Sequence, residues 1–152
     1  MKPDDYSNIS YLLGGLYLLM NFSPVPGIAM ILLAIGSFLG HVHGGKWWAA
    51  DWVGMYLVFG ALITHNLELS WLWLIPVALA GYRWGVPNYY LIGAFWVAAT
   101  ASALLVGLNI MLPTALFAVA LIIRQIGEIK HYQLLHSLWH VVTMPAIVLL
   151  CS

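Results

Sequence analysis

Five polar residues stand out in a chain built mostly of apolar side chains: Ser37, His41, Asp51, His136 and His140. Ser37 and His41 are four apart, as are His136 and His140, and on a helix that spacing puts each pair on one face, a turn apart. Ionisable groups inside apolar segments are costly and by default mark a functional site. Three imidazoles with a carboxylate and a hydroxyl suit a catalytic zinc centre, in which His41, His136 and His140 bind the ion and a fourth position stays open to water. Asp51 is of the type that takes that water's proton or orients it. The Ser37 hydroxyl is of the type that holds the water or a carbonyl oxygen. Hydrolysis of an amide or ester bond is the chemistry such a set would perform.

Composition indicates what must hold these residues. Of 152 residues, 63% are hydrophobic and 7% charged, and the mean hydropathy is +0.94. A soluble domain carries about 25% charged residues, so the expectation is an integral membrane protein, and the expected substrate is a membrane lipid. Zero formal net charge leaves no basic footprint for nucleic acid, which excludes that class of partner. The single cysteine, Cys151, permits no intramolecular disulfide. Eight Trp and eight Tyr fit the aromatic belts at lipid–water boundaries.

Turn signals divide the chain into seven apolar segments, at about 7–22, 27–43, 47–64, 69–82, 89–108, 114–126 and 131–151. Their continuous rather than alternating apolar character points to helices and away from a closed β-barrel. The expected fold is therefore all-α, a compact seven-transmembrane helix bundle forming a single domain over 1–152. Seven full spans of about 20 residues would use nearly the whole chain, so several helices must be short or the bilayer locally thin. The first apolar stretch lacks a small-residue cleavage site before Ser23-Pro24 and reads as a retained span.

If seven spans alternate, Lys2, Lys46, Arg83, Arg124 and Lys130, the five basic residues, fall on one side. The positive-inside rule then places the N-terminus in the cytoplasm and the C-terminus outside. The second span would end just after His41, the third begin just before Asp51, and the seventh carry His136 and His140 in its first third. All five site residues thus reach one depth near the cytoplasmic face, a convergence that the spacing within either pair does not impose.

Other polar residues have plainer readings. His43, His65 and His131 read as interfacial groups. Asp51 alone would suit an ion pair with Lys46, and Arg124 with Glu128, four apart, a surface helix pair. Gly36, Gly40 and the small residues from Ala98 to Ala103 suit close helix packing. Pro145 should kink the seventh helix just past His140, and Pro76 interrupts the fourth.

Ser-x-x-x-His late in the second span, Asp at the start of the third and His-x-x-x-His in the seventh resemble the CREST superfamily of seven-helix membrane hydrolases. That group includes alkaline ceramidases, adiponectin and progestin receptors and Per1-like lipid-remodelling proteins. The resemblance implies zinc on His41, His136 and His140, with Ser37 and Asp51 near the bound water. It also implies a cytoplasmic-side site with the N-terminus inside. The chain is far shorter than the eukaryotic members, with minimal loops, as would suit a bacterial inner membrane. Haem is a poor rival, because two histidines four apart on one helix cannot reach opposite faces of one iron. The seventh span has no lysine for a retinal Schiff base. A zinc-binding receptor, sensor or transporter without hydrolytic activity is the alternative function, and the oligomeric state is left open.

Overall fold

The computed structural model describes residues 7–84, 89–130 and 133–151. Within them the chain forms seven α-helices and no strand. They are α1 (Ile9–Asn21), α2 (Pro24–His43), α3 (Trp48–Asn66), α4 (Leu74–Trp84), α5 (Tyr89–Leu105), α6 (Met111–Lys130) and α7 (Gln133–Leu149). Short 3₁₀ turns precede α3, at Gly45–Trp47, and α4, at Trp71–Trp73.

Proline sets two of the helix starts earlier than the apolar pattern suggests. The stretch Ser23-Pro24-Val25-Pro26 looks like a turn, yet α2 begins there, with extended Ser23 as its N-cap and Pro24 at the first helical position. Proline fits that position because its missing N–H would be unsatisfied anyway and its φ is already helical. Pro113 likewise falls in the first turn of α6, whose start is fixed when Asn109 Oδ1 accepts from the Met111 N–H at 3.0 Å. Pro76 sits in the first turn of α4, so it opens that helix instead of interrupting it. Pro145 lies inside α7, which continues to Leu149.

Glycine lets α2 and α3, the most extensively paired neighbours, meet backbone to backbone. A Cβ on Gly36 would come 2.8 Å from the Ala50 carbonyl oxygen, and one on Gly54 would come 2.9 Å from Leu33 Cα. Small-residue contacts of this kind let helix axes approach closely. On its other sides α3 packs on α4 and α5, with Ala99 and Ala103 of α5 fully buried. α1 bridges α2 and α7, and α7 pairs with α6. An aromatic cluster joins the two halves. Trp96 of α5 stacks on Phe117 of α6 at 3.7 Å, Phe59 of α3 meets both edge-on, and Trp139 of α7 packs beside Phe117.

The outer surface is strongly apolar, with Met20, Tyr90, Leu105 and Met111 each more than three-quarters exposed. One helix, α2, is long and apolar enough to cross a membrane, and stretches of α1, α5, α6 and α7 are shorter apolar helices. The side chains of Lys46, Glu128 and Lys130, with all of Lys2 and His131, lie outside the described residues, and so do the expected Asp51–Lys46 and Arg124–Glu128 pairs.

Candidate metal centre

Three helix ends meet at one end of the bundle. His41 lies in the last turn of α2, which stops at Gly44. Gly44 has a φ of 63°, a backbone angle open to glycine because it has no Cβ to clash. The reversal through Gly45–Trp47 puts Asp51 in the first turn of α3, where the positive end of the helix dipole favours a carboxylate. His136 and His140 sit one turn apart near the start of α7. At 1.5 Å per residue, the five sequence-selected residues stand about 3–11 Å from their helix ends.

The imidazoles of His41, His136 and His140 form a cluster that could hold a metal ion, their candidate ligand nitrogens all lying within 4.8 Å of one another. Nε2 of His136 and Nε2 of His140 are 3.2 Å apart. The His41 ring centroid is 5.0 Å from that of His136 and 5.5 Å from that of His140. Trp48 meets His41 edge-on, and Tyr11 of α1 meets His140 in the same way at 5.1 Å. His140 is buried, while His41 and His136 are half-buried. Two buried imidazole nitrogens, His41 Nε2 and His140 Nδ1, have no hydrogen-bond partner.

A cavity of about 30 Å³, room for one or two waters, adjoins the cluster. Its polar wall is Tyr11, Asp51, Arg124, His136 and His140. Its apolar wall is Trp52, Met55, Ile92 and Trp139. Ser37 is fully buried beside the Asp51 carboxyl, without the geometry of a closed hydrogen bond, and is not part of the cavity wall. Its hydroxyl therefore faces Asp51 and not the space a ligand would fill.

Two polar residues of this wall were not anticipated in their places. Arg124, expected on a surface, lines the cavity instead, with its guanidinium 5.5 Å from the Trp52 ring centre and 5.4 Å from that of Trp139. Cation–π contact with both rings helps hold the charge there. It stands six residues before the end of α6, about 9 Å inside, so it does not belong with the loop charges. A lone arginine inside an apolar run was the signal available, and pairing it with Glu128 hid that signal. Tyr11 gave no such signal, since a tyrosine near a span end reads as part of an aromatic belt. Of the remaining histidines, His43 is exposed and leans on Trp47, and His65 lies at the far end of α3.

Compared with family models, with curated proteins and with solved structures, the chain finds no match.

Proposed function

We propose that this chain is a polytopic membrane hydrolase that holds zinc on His41, His136 and His140 and cleaves an amide or ester bond of a membrane lipid. One observation carries the reading: three imidazoles from two helices cluster beside a cavity into which Asp51 also projects. The donor set fits zinc. Two ligand nitrogens about 2.0–2.1 Å from a tetrahedral ion lie roughly 3.3 Å apart, and His136 and His140 present theirs at 3.2 Å. An ion among the three rings would also engage imidazole lone pairs in a cluster whose buried His41 Nε2 is without a partner. The chain's resemblance to the CREST hydrolases, in the order Ser37, His41, Asp51, His136, His140, agrees with this assignment.

Bound there, zinc supplies Lewis-acid activation of a water at neutral pH. Asp51 takes the water's proton and hands it to the leaving amine or alcohol as the acyl bond breaks, releasing a fatty acid. Ser37, packed against the carboxyl, acts as a positioning residue that fixes how Asp51 points. Trp52, Met55, Ile92 and Trp139 keep the other side of the cavity apolar.

The membrane part of the proposal rests on the composition, on α2 and on the apolar outer surface. Helices of 11–20 residues are about 16–30 Å long, at or below the thickness of a hydrocarbon core, so the surrounding bilayer is thinned. With Arg124 assigned to the cavity, Lys2, Lys46, Arg83 and Lys130 carry the orientation, N-terminus in the cytoplasm of a bacterial inner membrane.

The test is a panel of ceramides, acyl amides and phospholipids in mixed micelles, with released fatty acid measured for the wild type, Asp51→Asn and Ser37→Ala. Wild type should hydrolyse at least one class. Asp51→Asn should keep its metal and lose activity by about 10²–10⁴-fold, and Ser37→Ala should lose about 10–100-fold in kcat with little change in KM. A metal-loaded wild type that cleaves nothing would remove the hydrolase reading and leave a zinc-binding receptor or transporter.

A further inference from the structure

Tyr11 enters the site from α1, a helix that carries none of the residues selected by sequence pattern. Its side chain is 1% exposed, so it is no belt residue at a lipid boundary. The ring packs edge-on against His140, 5.1 Å between centroids, and the residue forms part of the cavity wall shared with Asp51, Arg124 and His136. The phenolic oxygen is buried without a hydrogen-bond partner. The neighbouring Thr143 hydroxyl donates to the Trp139 carbonyl at 2.7 Å and keeps lone pairs free to accept, yet no hydrogen bond between it and Tyr11 is closed. Buried tyrosine hydroxyls usually find a partner, and one left without costs stability. Phenylalanine would fill the same volume without that cost, so the hydroxyl at this position needs a use.

We propose that Tyr11 is a catalytic residue, the hydrogen-bond donor for the carbonyl oxygen of the ligand that occupies the cavity beside the three histidines. A donor fixed in a cavity with no water between it and the reacting group is worth most when negative charge builds on that oxygen. The wall offers few alternatives for this role. Asp51, when ionised, can only accept, one nitrogen of each histidine faces the other two rings, and Ser37 is turned toward Asp51 off the wall. Arg124 is a further donor on the wall, but its guanidinium is held over the Trp52 and Trp139 rings. The tyrosine donates without transferring its proton, so no charge is left on the protein. The inference rests on the hydrolase reading only for the identity of the oxygen as a scissile carbonyl.

The experiment compares wild type with Tyr11→Phe in the metal-loaded protein. Its deciding readout is the affinity for octanohydroxamate, a metal-chelating acyl group that presents a carbonyl oxygen in the cavity whether or not the protein is a hydrolase. Tyr11→Phe should retain its metal, melt at the same temperature or higher, and bind the hydroxamate about 10- to 100-fold more weakly. Where a lipid is hydrolysed, kcat should fall by about 10²–10³-fold with KM little changed. Equal hydroxamate affinity in both proteins, or no binding to the wild type, overturns the proposal even if lipid hydrolysis is observed. Weakened binding in Tyr11→Phe without hydrolysis by the wild type supports the donor role while removing the hydrolase reading.

Discussion

Where α3 and α5 end, the buried polar groups look after one another. Asn66 donates to Ser102 Oγ at 3.1 Å, Ser102 donates to the Ala99 carbonyl at 2.7 Å, and Thr64 donates to the Gly60 carbonyl while accepting from the Trp73 indole. At the opposite end of the bundle, Tyr11 Oη, Ser37 Oγ, His41 Nε2 and His140 Nδ1 are all buried without a partner. Thr100 Oγ1, in the middle of α5, shows the same deficit away from the site. Each buried polar atom left unsatisfied costs about 1–3 kcal/mol, so the histidine end carries a concentrated deficit where the other end closes its hydrogen bonds. The first end is polar for the sake of structure. The second has three imidazoles that could hold a metal ion.

Metal removal should expose that contrast most strongly. An ion that binds only the folded chain, at a free concentration about 1,000-fold above Kd, adds about 4 kcal/mol, or about 8–16 °C in melting temperature for a domain of this size. Chelation followed by thermal melting in detergent should show a fall of that order, restored by zinc. An unchanged midpoint after verified metal loss would mean that the polar end tolerates its unsatisfied groups without an ion, and the contrast would lose its meaning.

A smaller effect sharpens the comparison from the other side. Ser102→Ala leaves the Asn66 amide without its acceptor and should cost about 1–3 kcal/mol. Metal content, hydroxamate affinity and lipid hydrolysis should all stay at wild-type values, because the two ends share no partner and their effects should add. Loss of metal in Ser102→Ala would couple the two ends and contradict a division of labour between them.

The seven-helix count was legible because glycine, proline and charge interrupt the apolar runs at nearly the right places. The starts of α2 and α6 were not, because Pro24 and Pro113 look like turn residues until their neighbours cap a helix. Much of the cluster was legible, since four-residue spacing fixes a helical face whatever the tertiary structure. His136 and His140 had to share a face, and the reversal at Gly44–Gly45 had to bring Asp51 back beside α2. What that spacing does not encode is how helices distant in sequence rotate against one another. The packing of α1 on α7 brings Tyr11 against His140, and the packing of α6 on α7 brings Arg124 over Trp139, where Trp52 of α3 also meets it. Ser37 shares a face with His41, as the pattern required, yet its contact with Asp51 depends on how closely Gly36 lets α3 approach.

The central claim is that His41, His136 and His140 together hold one zinc ion, and metal analysis of the purified protein tests it most directly. Wild-type protein prepared without added chelator should carry close to one zinc per chain, and His136→Ala, purified in parallel, should lose most of it while Ser102→Ala keeps it. A wild type that cannot be loaded with any metal, or a His136→Ala variant that retains the full complement, would contradict the claim.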